Sequence, residues 1–360
     1  MNPRSLFLLA ACVVLLGAPA PACPICLGRW GEVPTLVEDL MGSDQVAVAS
    51  SKDGRQFTVW EVLRGDDAEV EPAPYVGKGE PGRAILLARA ADTKIWKSLG
   101  PLDGTLRPFV EKALTVRPLK AALDEVWHRR LDRFEGELGH PDERIGSSAW
   151  AIWANAPYHI LAQRESLPPL ERLRAWLADD VRPREDNLWW TLLGQHGTAD
   201  DEARVLATLE QQWTEKDSTA LAALASALLA MQGREAVPSL EERYLLDRTR
   251  TLKEVESVVQ ALALHGTESD DLQPVVRDTF RRFLRTRRPL AGLVAADLAA
   301  WECWDDWELY RDLLTSGEPV LPNTRKSILD YLESSPHEAA RELARSLRPP
   351  PDKPLRSERK

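Results

Sequence analysis

The sequence predicts a multi-domain α+β protein in which a small, mostly antiparallel β module precedes an all-helical solenoid. Three observations predict this division. Strand-like segments occur only in residues 23–116, helical patterns with short polar corners fill residues 117–346, and one corner recurs about every 35 residues. A repeat of that length is typical of stacked helical hairpins, each of which buries its apolar face against its neighbours.

The recurring corner contains a glycine each time. Its three clearest copies read LGQHGT, LAMQGR and ALHGT, and their glycines are Gly197, Gly233 and Gly266. The spacings between these positions are 36 and 33 residues. Glycine adopts the left-handed conformation that commonly ends a helix at little cost, so we expect all three glycines to end helices in that conformation.

The residues after each corner fit the start of a second helix. Thr198 and Thr267 are predicted to cap that helix, and Pro238 and Pro274 fall where a missing backbone N–H costs nothing. The segment GREAVPSL, residues 233–240, is similar to the consensus turn of HEAT-like repeats. This resemblance implies a HEAT-like α-solenoid over residues 117–346, with a long surface available for binding.

Three segments of the first part have the β-branched and apolar character of strands. They are residues 45–49, 57–63 and 84–88. Asp53-Gly54, between the first two segments, predicts a hairpin turn. A short amphipathic helix is predicted over residues 33–41, so this part is a small sheet, or a partly open barrel, with one helix.

The first part also resembles netrin-like modules, which are related to the tissue inhibitors of metalloproteinases. The resemblance rests on the pair Cys23 and Cys26, the predicted helix, and the segments SDQVAVAS and FTVWEVLRGD. It implies an OB-type barrel, and in the inhibitors the free amine and carbonyl of the N-terminal Cys bind a protease's zinc. This chain lacks the later cysteines that pin the family's barrel.

The whole layout resembles a group of exported bacterial proteins, many of them planctomycete, whose activity is not established. The matching stretches are CPIC, TVWEVLRG, ANAPYHIL, LRAWLADD and DLAAWECWDDW. Members of this group have a signal peptide, a small β module and HEAT-like helices. The resemblance therefore implies the same layout here and implies no activity.

The first 22 residues have the pattern of a secretory signal peptide. Arg4 precedes a 12-residue apolar run, and the small-residue site APA leaves Cys23 as the first mature residue. We therefore expect an exported protein, periplasmic or secreted. No later segment is long and apolar enough to cross a membrane, and the polar residues 347–360 are predicted to be disordered.

Several chemistries compete for Cys23 and Cys26. An exported compartment favours a local disulfide between them. A thiol-redox centre needs a preceding strand, and nothing before Cys23 supplies one. A structural zinc site needs a second pair of ligands, which Cys303 alone does not provide. Lipidation of Cys23 remains as a further alternative, although Ala20 and Pro21 make an unusual lipobox.

Other sequence features have structural interpretations. His196 and His265 occupy equivalent corner positions with a repeat between them, so we interpret them as helix-end residues and not as a metal or catalytic pair. First-turn capping accounts for two pairs of aspartates, and no pair has the spacing of a calcium loop. The aspartate pairs are Asp200/Asp201, Asp270/Asp271 and Asp305/Asp306. The tryptophans Trp301, Trp304 and Trp307 recur at helical spacing, and for them we favour core packing over sugar stacking.

Composition and motifs exclude several functions. The formal net charge of −10 argues against nucleic acid or an anionic membrane as the main partner. The segment GKGEPG, residues 77–82, matches a dinucleotide-binding pattern by letter, yet it contains Pro81 and leads into a strand, so we interpret it as a loop. The sequence predicts no catalytic residue, no cofactor and no metal.

These observations predict a non-enzymatic, exported scaffold or binding protein. Its partner would be a protein or an envelope component that docks on the helical-repeat surface. The first alternative is a thiol-redox or protease-inhibiting activity centred on Cys23 and Cys26. The second alternative is carbohydrate binding through exposed tryptophans.

Overall fold

The computed structural model describes most of the chain. Its described residues are 23–27, 35–51, 57–66, 75–76, 82–90, 95–116, 124–179, 185–318 and 320–348. The predicted signal peptide, the tip of the predicted hairpin, most of the predicted loop at 77–82 and residues 349–360 of the predicted tail lie outside them. The chain divides into two compact units, Met1–Leu188 and Trp189–Lys360.

The first unit combines a small sheet with short helices. In chain order its elements are α1 (Pro24–Leu27), α2 (Leu36–Met41), β1 (Gln45–Ser51), β2 (Phe57–Arg64), β3 (Tyr75–Val76), β4 (Ala84–Arg89), β5 (Trp96–Pro101), α3 (Leu106–Leu114), α4 (Asp124–Phe134), α5 (Glu143–Ala154), α6 (Tyr158–Ala162) and α7 (Leu170–Trp176). The three predicted strands are confirmed as β1, β2 and β4, whereas β5 and α3 are elements that the sequence pattern does not predict.

The strand order of the sheet is β2-β1-β4-β5-β3. Four strands pair antiparallel, and the two-residue β3 pairs parallel with β5. β1 is central, and its residues 46–49 are fully buried because both faces of an inner strand are covered. Ser51 pairs with Phe57, so β1 and β2 form the antiparallel pair that the Asp53-Gly54 signal predicts.

A helix from beyond residue 116 packs onto the two short helices that precede the sheet. Helix α5 contacts both α1 and α2. Directly after α5, the carbonyl of Ala156 accepts a hydrogen bond from the backbone N–H of Cys23 at 3.1 Å. The position suits α5, since Trp150 and Trp153 are among the largest fully buried side chains.

The second unit is helical throughout its described residues. Its elements are α8 (Asp186–His196), which spans the division between the units, α9 (Ala199–Glu215), α10 (Leu221–Gln232), α11 (Val237–Leu240), α12 (Leu252–Glu268), α13 (Gln273–Thr286), α14 (Ala295–Ala300), α15 (Trp307–Thr315), α16 (Pro322–Ser334) and α17 (Glu338–Leu347). Tighter 3-10 segments cover Gly233–Ala236 and Arg288–Val294, and a wider π turn covers Glu241–Leu246. The whole is therefore an α+β protein, a small sheet followed by many helices.

Several of these helices begin with the capping residues and first-turn prolines that the sequence predicts. Thr198 precedes α9. The backbone N–H and the hydroxyl of Thr198 donate hydrogen bonds to the Asp201 carboxylate, at 2.8 Å and 2.9 Å. Pro238 and Pro274 lie in the first turns of α11 and α13. The prediction for Thr267 is wrong, because this residue lies inside α12 and begins no helix.

Helices of the second unit contact their sequence neighbour and also a helix further along. α10 contacts α9 and α12, and α16 contacts α14 and α17. Three hydrogen bonds join residues that are far apart in sequence. The separation is 39 positions for Ser226 and His265, 41 for Glu241 and Arg282, and 34 for Thr267 and Trp301. Contacts at such separations are what a repeat of about 35 residues predicts.

Candidate functional site

Cys23 and Cys26 lie at disulfide distance across the single helical turn α1, with their Cα atoms 5.4 Å apart. Both residues are fully buried, and the Cys23 nitrogen is engaged by the carbonyl of Ala156. Thiol exchange needs an accessible sulfur, and zinc ligation of the inhibitor type needs an accessible Cys nitrogen. The geometry of this pair therefore favours a structural disulfide.

The structural reason for glycine is not the same at the three corner positions. Gly233 ends α10 with a positive φ of 60°, as predicted, but its ψ of −131° differs from that of the predicted left-handed conformation. The same prediction is wrong for Gly197 and Gly266, neither of which has a positive φ. A Cβ on Gly197 would lie 2.4 Å from the side-chain methyl of Met231, and one on Gly266, inside α12, would lie 2.9 Å from the ring of Trp301. Close packing, not backbone conformation, accounts for these two glycines.

The two corner histidines have different environments. His196 is exposed at the end of α8, as predicted. His265 is only 6% exposed, and its Nε2 forms a 2.9 Å hydrogen bond with the hydroxyl of Ser226, which is 1% exposed. The pair joins α12 to α10 and lies too deep for a substrate to reach. Burial lowers the pKa of His265 to about 4.

The buried imidazole makes stability depend on pH. The native His265 takes up its proton near pH 4, but the unfolded chain does so near its ordinary value of 6.5, so the stability contribution is complete above pH 6.5 and is lost as pH falls toward 4. We expect the stability advantage of the wild type over His265→Gln to shrink by about 3 kcal/mol between pH 7 and pH 4. Denaturant unfolding across this range measures it.

Two comparisons isolate the effect of His265. Burial raises the pKa of Asp297 to about 6, which makes stability fall as pH rises from 3.8 toward 6 and so opposes the histidine. Subtracting the His265→Gln curve from the wild-type curve removes this contribution. The matched variant is His196→Gln, which removes an exposed imidazole in place of a buried one. A flat His265→Gln difference curve would show that this imidazole is not held neutral by burial.

Most tryptophans of the second unit have their ring faces covered. Trp189 and Trp190 are 1% and 5% exposed. Trp301 stacks on Phe280, with ring centroids 5.7 Å apart. Trp307 stacks on His337 at 5.7 Å and also has the guanidinium of Arg311 over its ring at 5.2 Å. These contacts fit the predicted core packing, and they disfavour a tryptophan platform for sugars in this unit.

A charged groove lies along α13 and the turn before α15. Its open cavity has a volume of about 390 Å³ and is lined by Asp278, Arg281, Arg282, Arg285, Asp305 and Asp306. α13 positions the arginines on neighbouring turns because residues 281 and 285 are four apart. Asp305 and Asp306, which the sequence offers only as a pair of acids, are brought here as ion-pair partners.

Carboxylates hold two of the groove arginines in fixed orientations. Arg281 donates from Nε to Asp306 and from Nη2 to Asp305, both at 2.7 Å. Arg282 donates to both carboxylate oxygens of Glu241, at 2.5 and 2.6 Å. The hydrogen bond to Asp306 raises the pKa of Arg281, and the hydrogen bond to Glu241 raises the pKa of Arg282. Both guanidinium groups therefore stay charged.

Of the three arginines in the groove, Arg285 has the weakest contact with a carboxylate. Its side chain is 61% exposed, and the nearest carboxylate oxygen, Oδ1 of Asp306, is 3.8 Å away. Asp305 is 85% exposed and Asp278 57% exposed, so negative charge also faces solvent. The groove therefore offers charges of both signs to a partner, and no Ser, Cys or His that could act as a nucleophile or base lines it. Such an arrangement suits recognition of polar groups.

A second cavity, of about 420 Å³, belongs to the first unit, between α2 and the strands β4 and β5. Ile95, which is 49% exposed, and Leu99 line it, and Lys97 closes one side through an ion pair with Asp39 at 2.7 Å. On the edge strand β2, Trp60 is 55% exposed. Among the described residues of the first unit, Trp60 and Ile95 are the large apolar side chains that are exposed.

Within the described ranges, no group of three or more His, Cys, Asp or Glu is placed to hold a metal ion. No helix in the same ranges is long and apolar enough to span a bilayer. Comparison of the chain with known protein families, with curated proteins and with solved structures finds no match.

Proposed function

We propose that this chain is an exported, non-enzymatic binding protein whose second unit is a HEAT-like solenoid that recognises a protein or an envelope component. One observation carries the proposal. Several side-chain hydrogen bonds between helix pairs join residues that are 33 to 41 positions apart, such as Glu210 and Arg243, Ser226 and His265, and Glu241 and Arg282. Nearest-neighbour stacking of this kind makes a continuous surface, which suits binding better than catalysis.

Ion pairs and hydrogen bonds between successive helix pairs support the solenoid. Arg243 pairs with Glu210, Arg282 pairs with Glu241, and Arg281 pairs with Asp306. Each of these contacts joins one predicted repeat to the next. The charged groove of α13 lies at such a junction, so we place the recognition site there, where side chains of adjacent repeats face the same solvent space.

The first unit is proposed to contain an OB-like module. In the order β2-β1-β4-β5-β3, the two outer strands are β2 and β3, and pairing between them would close the sheet into a barrel. The order also places the longest central strand, β1, between β2 and β4, as a Greek-key arrangement requires. The netrin-like resemblance of this part supports the same interpretation of its fold.

Affinity capture from the native envelope tests the proposed role of the groove. With the protein as bait, Arg285→Glu is expected to lower recovery of the partner at least about tenfold, because a reversed charge repels the group that the arginine attracts. The matched control is Arg345→Glu, which reverses an exposed arginine on α17. Equal recovery by the two variants would exclude the groove as the recognition site.

The same experiment separates this proposal from the thiol alternative. Replacing Cys23 and Cys26 with serine removes the disulfide of α1 and leaves the second unit unchanged, so recovery of the partner is expected to stay at the wild-type level. An activity centred on these cysteines would be abolished by the double substitution. Loss of capture in this variant, with Arg285→Glu still active, would favour the thiol alternative.

A further inference from the structure

A buried arginine of the first unit forms no ion pair with any described residue. Arg130 lies on α4 and is 7% exposed. Burial lowers the pKa of its guanidinium, and the structure gives it no salt bridge among the described residues. A buried charge without a hydrogen-bonded counter-ion is strongly unfavourable, so native proteins nearly always supply one.

The groups around Arg130 neutralise it poorly. Its Nη2 donates to the sulfur of Met41 at 2.8 Å, and a thioether is a weak, uncharged acceptor. The ring of Trp127 lies 5.4 Å from the guanidinium carbon. Glu38 is the carboxylate that acts on Arg130 through space, but its Oε2 accepts the backbone N–H of Thr35 at 3.1 Å in the cap of α2. The Nε of Arg130 has no acceptor within the described part of the chain.

Other N–H donors on α4 and on the neighbouring helix α5 are also buried without a hydrogen-bond acceptor. The indole nitrogens of Trp127 on α4, and of Trp150 and Trp153 on α5, are buried and have no hydrogen-bond acceptor in the described structure. All four unsatisfied groups on these two helices are N–H donors, and α4 contacts α5. A species rich in acceptor oxygens can satisfy such donors, each of which costs about 1–3 kcal/mol while it is unpaired.

We propose that the first unit binds a compact oxyanion, a carboxylate or a phosphate, at Arg130. The planar guanidinium pairs two N–H groups with two oxygens of such an anion, which a point charge does not do. The small exposed fraction of Arg130 restricts the ligand to a small group. With a net charge of −10 the chain does not attract anions in general, so binding depends on this local arrangement.

Thermal unfolding of the full chain tests the site, with sodium phosphate and sodium acetate compared against sodium chloride at equal ionic strength. Phosphate or acetate is expected to raise the Tm of the wild type by about 3 °C or more, increasing with concentration, because a ligand that binds only the folded state stabilises it. Which of the two anions acts at the lower concentration distinguishes a phosphate site from a carboxylate site.

Adjacent arginines provide matched variants. Arg129 is 66% exposed and pairs with Glu125, so Arg129→Met is expected to keep the full response to the anion. Arg130→Met is expected to lose the response and to be at least as stable as the wild type in chloride, because it replaces an uncompensated buried charge with an apolar side chain. An equal response in Arg130→Met, or a wild type that gains nothing over chloride, overturns the proposal.

A second variant covers the case in which Arg130→Met does not fold. Arg130→Lys keeps the positive charge but loses the paired N–H groups. The half-saturating concentration of phosphate or acetate, measured by isothermal titration, is expected to rise at least about tenfold in this variant. An unchanged half-saturating concentration overturns the assignment of the oxyanion to the guanidinium.

Discussion

Gly194→Ala is expected to lower the free energy of unfolding by about 2–3 kcal/mol. Gly194 is buried in α8, and an added Cβ would lie 2.5 Å from the Cα of Ala227 in α10. The obstructing atom is backbone, so no side-chain rotation relieves the clash and the two helices must move apart. Denaturant unfolding of the full chain measures the loss.

A glycine in open surroundings provides the control. Gly136 lies in the 3-10 turn Glu135–Glu137, and an added Cβ there meets no atom within 4 Å. Gly136→Ala is therefore expected to change the free energy of unfolding by no more than about 0.5 kcal/mol. If both variants lose the same stability, the close approach of α8 to α10 is not what makes Gly194 necessary.

Phe280→Ala has the second large expected effect, a loss of about 3–5 kcal/mol. Phe280, on α13, is fully buried, and its ring is stacked on Trp301 with an interplanar angle of 10°. Truncation leaves a cavity at the contact between two predicted repeats and uncovers one face of the indole. Denaturant unfolding measures the loss in free energy.

The comparison variant for Phe280 is Leu206→Ala. Leu206 is 42% exposed on α9, so its truncation removes apolar area without opening a buried cavity. We expect it to lower the free energy of unfolding by less than about 1 kcal/mol. A Phe280→Ala loss as small as that of Leu206→Ala would contradict the account of the contact between Phe280 and Trp301.

Features that depend on neighbouring residues in sequence could be predicted. The cap formed by Thr198 and Asp201 is closed within four residues, and the positions of Pro238 and Pro274 follow from the missing N–H alone. The strands β1, β2 and β4 have the β-branched and apolar composition that strands require. Such features need no knowledge of what packs against them.

Features that depend on distant residues could not be predicted. Gly266 is necessary because the Trp301 ring occupies the space of its Cβ, and nothing near Gly266 in sequence indicates this. The hydrogen bond of His265 likewise needs Ser226, which is 39 residues away. The contacts of α5 could not be predicted for the same reason, since its own sequence carries no sign that it packs on α1 and α2.

The charged groove of α13 could not be predicted either, because its contacts also join distant residues. Asp305 and Asp306 are recognisable in sequence as acids, but their partner Arg281 lies 24 and 25 residues earlier, and only folding brings the three together. The pattern of α13 indicates an amphipathic helix and does not show which of its arginines are paired. The sequence around Arg130 gives no sign of its burial either, because an arginine on a helix is normally a solvated side chain.

Hydrogen exchange across the second unit, compared between the wild type and Gly194→Ala, tests the proposed stack of helix pairs most directly. In such a stack each pair contacts only its neighbours, so a local defect remains local. We predict that protection falls in α8 and α10 and is retained in α16 and α17. A uniform loss of protection from α8 to α17 would contradict the account, because it would mean that one undivided core holds all these helices.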